Sequence, residues 1–556
     1  MFVYKSYLLN SLETVFLDSD IKKDNLGDIR IFENEAASFQ LAFKPEYEPE
    51  QANGWDDVIE IKAEVECECN SAVSVYIIEN TPVIRIGNSL SDDWFLRKGP
   101  GLYPDCMTSH PKNYFSAPTG FWKSIWININ ENRDMLAPGE YSIKIKLFNR
   151  KKKIYIAERE AKFTVMKGVL PKQQIITTNW VHYDCMSYFS NTKPFSKEFY
   201  RVAKRYISLA VKNGQNMILL PAFTPPLDTP VNEERKTVQV VDVTLTDGAY
   251  SFDFTKLKEF IEFALECGME YFEHSHLYTQ WGAKHAPKIV VNAGRKKKKL
   301  FGWHTDADSD EYKNFLHAYL TSLKEFLKEN GYEKRFFFHV SDEPFEYVRE
   351  NYAKASDFIH KELEEFPCGD ALSEYKFYEE GLVKTPIAVT RNANDFIGKV
   401  DNLWLYHTGG ENNLYLSNRI IGMPQERGRV LGVQLYYFDI KGFLNWGFNA
   451  HHNRLSRKMI DPHMSGDMGT DFGAGGSFLV YPTRNGAEPS VRLMTYRDHM
   501  QDTRAFKLLE SYTDRKIVCD LIKKHIPDIS MNCRVTAKQL IDLRNEVNDM
   551  ISGFTK

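Results

Sequence analysis

The feature that most limits the fold of this chain is a change of rhythm near residue 168. Before it, short alternating segments recur at Ala37–Phe43, Val58–Val65, Ser74–Ile78, Ser124–Asn128, Tyr141–Phe148, Ile154–Ile156 and Ala161–Val165. Turn residues such as Ala137-Pro138-Gly139-Glu140 separate them. Regular short strands with this punctuation predict a β-sandwich. Lys167-Gly168-Val169-Leu170-Pro171 then marks a boundary. From Gln174 onward, strand-like and helix-like segments alternate, which predicts a parallel sheet. The strand candidates are Ile175–Tyr183, Asn216–Leu220, Tyr271–Leu277, Phe336–Val340, Pro386–Val389, Asn402–Tyr406, Arg429–Tyr437 and Lys441–Trp446. Helical spacing covers Phe195–Lys212, Thr255–Cys267, Asp310–Glu329, Glu346–Glu364 and the region near Ser490–Leu509. About eight strands over roughly 330 residues favour a closed (β/α)8 TIM-type barrel with long loops. A doubly wound open sheet is the alternative, and no GxGxxG or Walker motif supports it. The expected organisation is a β-sandwich over 1–168, a catalytic barrel over 169–512 and a helical C-terminal extension over 513–556.

Composition excludes several classes of function. The formal net charge is −4, and the basic runs Arg150–Lys153 and Arg295–Lys299 are short, so no nucleic-acid partner is expected. No run of eighteen apolar residues exists, so no membrane span is expected. The N-terminus lacks a signal-peptide pattern, and the eight cysteines are scattered, which together predict a reduced, cytoplasmic protein. No zinc or redox spacing is present, so neither metal nor cofactor is expected. A homo-oligomer is left open.

The chemistry concentrates in Arg335-Phe336-Phe337-Phe338-His339-Val340-Ser341-Asp342-Glu343-Pro344. An aromatic run of strand length ends in two acids and a proline. The proline predicts an extended Glu343 and stops the strand. A barrel strand that ends this way delivers both acids to the carboxyl rim, where barrel enzymes do their chemistry. A second Ser-Asp-Glu, at Ser309–Glu311, precedes helical spacing and reads as an N-cap. Asp342 and Glu343 are therefore the catalytic candidates of a glycosidase.

Their adjacency constrains the mechanism. Retaining glycosidases hold acid and nucleophile about 5–5.5 Å apart, on different elements. Neighbours on a strand diverge, so both cannot reach one carbon from opposite faces of a sugar. Substrate assistance resolves this. The sugar's own 2-acetamido oxygen attacks, one enzyme acid orients the amide, and the other acts as acid and base. Such a division predicts an Asp342 that ionises readily and a Glu343 that keeps its proton. The conventional alternative needs another acid. Arg429–Tyr437 offers none, Glu411 and Glu426 lie in preceding loops, and Asp439 is the best candidate nucleophile beside Glu343. A non-catalytic carbohydrate-binding protein is the third reading.

The segment His339–Pro344 resembles the Asp-Glu site of glycoside hydrolase family 123. So do Gly442-Phe443-Leu444-Asn445-Trp446-Gly447 (a "GFLxW" strand), Gly475–Pro482 (a "GxxLVYP" element) and the helix with Ser490, Arg492, Leu493, Arg497 and Asp498. Pro100–Asp105 and Pro138–Tyr141 fit the family's β-sandwich. One departure is His499, where the family's helix usually has glycine. The resemblance implies an exo-acting β-N-acetylgalactosaminidase, with a terminal β-linked N-acetylgalactosamine of a glycan or oligosaccharide as substrate. It also implies that Asp342 stabilises the oxazoline and that Glu343 is the acid/base.

Further candidates line the expected strand outlets. Trp446 closes the last strand and can floor the sugar ring. Trp404 and Tyr406 end an earlier one, and Tyr406 or Tyr437 can hold the acetamido oxygen. Asn179 and His182 follow the first strand and can bind hydroxyls. His276 follows the third, with Glu273 and His274 before it. A metal site there is disfavoured against sugar hydrogen bonding or buried imidazoles. His339 reads as a barrel-interior histidine.

Overall fold

The computed structural model describes residues 3–46, 58–69, 72–470 and 472–555. The amino-terminal part forms two five-stranded sheets. One has the order Val3–Asn10, Ala37–Glu46, Lys123–Ile129, Val73–Val83, Gly101–Thr108. The other runs Ile29–Phe32, Ile154–Met166, Gly139–Asn149, Val58–Cys67, Tyr114–Pro118. Alternate residues point between the sheets, as strand geometry requires. Phe39, Leu41, Phe43, Ile125, Ile127 and Ile129 meet Ile143, Ile145, Leu147 and Phe163 in one core. Each such side chain contributes about 1.5–3 kcal/mol by leaving water. The two segments expected at Ile154–Ile156 and Ala161–Val165 are one strand with a bulge between Tyr155 and Ala157.

The strand Lys123–Ile129 is buried on both faces. Ile125, Ile127 and Ile129 enter the sandwich core. Trp126 and Asn128 point to the other half of the molecule, where Trp126 joins the large core of the helices and parallel strands. Asn128 accepts from Arg497 at 3.1 Å, and Gln501 exchanges two hydrogen bonds of 2.8 Å with the Ala36 backbone. Asp105 and Arg492 form a bidentate pair at 2.8 and 2.9 Å. The helix Val491–Tyr512, which supplies Arg492, Arg497 and Gln501, is thus buried on nearly every side. Its polar residues serve as contacts between the two halves.

The second half contains eight parallel strands: β1 Ile176–Asn179, β2 Met217–Leu220, β3 Tyr271–His274, β4 Phe336–Phe337, β5 Gly369–Leu372, β6 Thr385–Val389, β7 Trp404–Tyr406 and β8 Gly442–Asn445. They pair in the orders β1-β8-β7-β6-β5 and β2-β3-β4. A parallel bridge between Phe338 and Cys368 links β4 to β5. The Asn216 N–H donates to the Thr177 carbonyl at 3.3 Å and links β2 to β1. At β8 the Trp404 ring lies over Gly442, where an added Cβ would come within 2.1 Å of it.

Two expectations fail here. Arg429–Tyr437 is not a strand but most of the helix Gln425–Tyr437. It packs between Val491–Tyr512 and the carboxyl-terminal helices Arg515–His525 and Ala537–Phe554, so apolar residues occur around its whole circumference and mimic a buried strand. An added Cβ on Gly432 would lie 2.3 Å from the His499 carbonyl, so the glycine that permits this approach sits on the facing helix. The missing parallel strand is Gly369–Leu372. The first strand also ends early: Tyr183 opens a helix, Tyr183–Ser190. No helix among the described residues is long and apolar enough to cross a membrane.

Candidate active site

A cleft of about 260 Å³ opens at the carboxyl ends of the parallel strands. Trp180 follows β1, Gln280 and Trp281 follow β3, Asp342 and Glu343 follow β4, Tyr406 and Thr408 come from the end of β7, and Trp446 follows β8. Carboxyl ends are where open and closed parallel sheets expose their loops to ligands.

The end of β4 is held without a regular ladder. Asp370 on β5 accepts the N–H groups of Val340 and Ser341 at 3.1 and 3.0 Å, and the Tyr352 hydroxyl at 2.6 Å. The Glu343 N–H donates to the Ala371 carbonyl at 3.1 Å, and the Asp342 carbonyl accepts from Trp281 at 3.0 Å. Glu343 has φ of 44° rather than the extended backbone its proline predicts. Left-handed backbone is costly for a residue with a Cβ, about 1–2 kcal/mol. The turn at Glu343 cancels the divergence expected of strand neighbours, so both carboxylates face one cleft.

The electrostatics of the pair differ from expectation. Burial raises the Glu343 carboxyl above its ordinary range; the Tyr406 hydroxyl, donating at 2.7 Å, opposes this, and Glu411 adds to it. Asp342 is also raised, well above its ordinary value, by burial first and then by Glu343 and Asp370. An Asp342 that ionises readily is therefore not what this pocket provides. Among the described residues no group hydrogen-bonds its carboxylate, and only the charge on His339 works against the rise.

Beneath the pair lies a buried ionic stack. His339 Nε2 is 3.1 Å from Glu273, and its Nδ1 is 3.4 Å from Asp370. Burial opposes charge on His339, but these two acids override it and raise its pKa to about 9. Glu273 also accepts from Thr178 at 2.6 Å and from the Trp180 indole at 3.2 Å. The stack thus orients the Trp180 ring at the cleft floor.

Four of the nine expected site residues meet in the cleft: Asp342, Glu343, Tyr406 and Trp446. Four others are buried outside its lining. Asn179 accepts from Arg419 beneath the strand ends. His182 lies between Arg235, 2.9 Å from Nδ1, and the Trp446 carbonyl, 2.9 Å from Nε2. Burial, then Arg235, depress the His182 pKa to about 3, so it is a neutral strut behind Trp446. His276 stacks on His339 at 4.7 Å, and burial holds it neutral. Trp404 stacks on Phe337 at 5.0 Å inside the strand core. Tyr437 is corrected outright. It ends the helix before β8, beside Phe438 and Lys523, at the amino end of the parallel strands. Asp439 shares that end, paired with Lys441 at 2.7 Å, so it cannot serve the carboxylates at the opposite end.

Sequence reasoning overlooked the cleft's outer ring. Trp281 and Phe472 are each 39% exposed at the rim, available to cover apolar sugar faces. Their signal was weak, since both sit in long loops without periodicity. Two further acids line the cleft. Asp467 has its carboxylate filled by Ser465 and the N–H groups of Ile84, Arg85 and Gly469, which hold it low despite burial. Asp228 is raised by burial, against N–H donors from Leu455 and Ser456.

A family model described as glycoside hydrolase 123, catalytic domain, matches residues 180–509. Among solved structures, a family 123 glycoside hydrolase from Clostridium perfringens, described for glycolipid glycan hydrolysis, superposes with a TM-score of 0.74 at 12% identity, covering 100% of this chain and 99% of that one. That likeness shows a shared fold. A Bacteroides uniformis β-glucuronidase gives 0.31 at 11% identity over 85% of this chain and 49% of its own. A family 39 glycoside hydrolase from Bacteroides cellulosilyticus WH2 gives 0.33 at 10% identity over 76% and 82%. No curated protein matches the chain.

Proposed function

Because this chain belongs to glycoside hydrolase family 123 and is a glycoside hydrolase, we propose that it releases terminal β-linked N-acetylgalactosamine from a glycan, with retention, by substrate assistance. The observation that carries this reading is the shared outlook of Asp342 and Glu343 on one cleft, with the Asp342 carboxylate unoccupied by any intramolecular hydrogen bond among the described residues. In the proposed course, the acetamido N–H donates to Asp342 on binding, which favours its ionised form against the burial that raises it, and the carboxylate then steadies the charge that builds on the amide. The acetamido oxygen closes on the anomeric carbon while Glu343 gives its proton to the departing oxygen. Glu343 then takes a proton from the water that opens the oxazoline. Its raised pKa suits the first step, and the Tyr406 hydrogen bond keeps it from staying protonated in the second. Trp446 and Trp180 form the floor for the sugar, and Trp281 and Phe472 form its sides.

We also read the eight parallel strands as one closed (β/α)8 barrel. The succession β1 to β8 and back to β1, through the bridge at Phe338 and the Asn216 hydrogen bond, supports closure. On this reading residues 1–168 are the sandwich, 169–512 the catalytic unit and 513–556 an extension. A glycolipid headgroup is the substrate class suggested by the Clostridium perfringens relative.

The test is hydrolysis of aryl β-N-acetylgalactosaminide beside the glucosaminide and the plain galactoside, with and without a thiazoline sugar. Turnover of the galactosaminide alone, blocked by thiazoline and lost in Asp342→Asn and Glu343→Gln, is expected. Turnover of the plain galactoside, indifferent to thiazoline, would sink the substrate-assisted course.

A further inference from the structure

Away from the cleft, three side chains from distant parts of the sequence converge where the sandwich meets the second half. Cys106 comes from the strand Gly101–Thr108, His463 from a loop, and Glu488 from the hairpin Val480–Thr483/Gly486–Pro489. Their donor atoms all lie within 4.8 Å of one another. Cys106 Sγ is 3.8 Å and His463 Nε2 is 3.7 Å from the same Glu488 oxygen.

These spacings have a chemical meaning. Zinc binds sulfur at about 2.3 Å, imidazole at about 2.0–2.1 Å and carboxylate at about 2.0–2.2 Å, so tetrahedral ligand atoms stand about 3.3–3.6 Å apart. The two separations from the Glu488 oxygen exceed this by a few tenths of an ångström, and that between Cys106 and His463 is within 4.8 Å.

A second observation is independent of the cluster's size. His463 Nδ1 is 2.8 Å from Asp461, which lies outside the cluster. A carboxylate on the far nitrogen is the arrangement that fixes the tautomer of metal-bound histidines and aims the other nitrogen's lone pair at the ion. The backbone is also held, because Cys106 bridges to Ser490, two residues from Glu488. Cys106 is buried, while His463 and Glu488 are half-buried, which leaves one side open to solvent.

We propose that Cys106, His463 and Glu488 form a zinc site with water in the fourth position, clasping the sandwich to the hairpin before Val491–Tyr512. Soft sulfur with imidazole selects zinc over calcium or magnesium. Binding releases the thiol proton, and the imidazolium proton where present, to solvent. The site was invisible to spacing rules because Cys106 lies hundreds of residues before His463 and Glu488. It is independent of the proposed glycosidase chemistry.

The test uses the purified full chain, stripped with chelator and titrated with zinc alone and with cobalt alone. One equivalent of zinc is expected, with a Tm that rises with zinc concentration. Cobalt should give a near-ultraviolet thiolate charge-transfer band. Cys106→Ser should lose the band, and Glu488→Gln should weaken binding at least tenfold while keeping a folded circular-dichroism spectrum. Absence of the cobalt band and of any zinc-dependent Tm shift in the wild-type chain overturns the proposal. So does a stoichiometric zinc retained by Cys106→Ser. Should Cys106→Ser fail to fold, the wild-type cobalt spectrum decides alone.

Discussion

The Tyr406 hydroxyl donates to Oε1 of Glu343 at 2.7 Å, tying the end of β7 to the end of β4. The bond favours the ionised carboxylate, so it restrains the rise that burial imposes on Glu343. Removing it in Tyr406→Phe should push the Glu343 pKa further up. The alkaline limb of the kcat/KM profile should move to higher pH. Hydrogen bonds to charged groups contribute about 1.5–3 kcal/mol, so kcat/KM should fall about 10- to 100-fold. A pH profile of unchanged shape would show that Tyr406 does not set the acid.

Replacing the raised carboxylates should stabilise the fold at high pH. A carboxyl whose folded pKa lies above its unfolded value favours folding when protonated, and that benefit is lost as pH rises through the folded pKa. Asp342→Asn and Glu343→Gln should therefore raise Tm relative to wild type at pH 8, and by much less at pH 4. Thermal unfolding at the two pH values reads this directly, and a pH-independent difference counts against raised values.

His339 carries the opposite chemistry with a matching sign. Its pKa rises from 6.5 to about 9 on folding. The stability it provides is complete below pH 6.5 and is lost as pH climbs through 9. At about 1.4 kcal/mol per unit, the loss is on the order of 3 kcal/mol. Denaturant unfolding of wild type and His339→Gln at pH 6 and pH 9.5 should show a variant penalty that shrinks at the higher pH.

The Asp105–Arg492 pair is buried on both partners. Breaking such a pair from one side leaves an uncompensated charge and costs about 3–5 kcal/mol. Asp105→Asn should lower stability by that amount, although Asp105 does not line the cleft. A loss below about 1 kcal/mol in urea unfolding would contradict the assigned burial.

Trp446 sits on the cleft with its indole available to a sugar face. Trp446→Ala should raise KM for the aryl galactosaminide about tenfold or more, through about 1.5 kcal/mol or more of lost stacking and burial. Steady-state kinetics across substrate concentration separates this from a loss in kcat alone.

The legible parts of this chain were those with one buried face. Asp310–Glu329 keeps its helical period because solvent bathes its outer side, and its observed bounds match the pattern. Gln425–Tyr437 lost its period because other helices cover it, leaving a run that reads as a strand. Gly369–Leu372 escaped notice because four residues that include Asp370 carry no hydrophobic signature. Yet Asp370 fastens the end of β4 and charges His339. At the site, the placement of Asp342 and Glu343 at the carboxyl end of a strand was legible from the aromatic run before them. The turn at Glu343 was not, because Pro344 argues for the extended backbone that the fold overrides. His182 and Asn179 were candidate ligands because polar residues at strand ends can bind hydroxyls, but here their side chains are held by Arg235, Arg419 and the Trp446 carbonyl.

The strand Lys123–Ile129 belongs to two cores at once. A fragment covering only the family match at 180–509 would lose Trp126, Asn128 and Asp105, leaving the Arg492 guanidinium without its counter-charge and one wall of the longest helix open to water. The half that carries the carboxylates is therefore not a portable module. Recombination or engineering that moves this chemistry into another protein must carry the sandwich with it, so the two halves are expected to travel through evolution as one heritable piece.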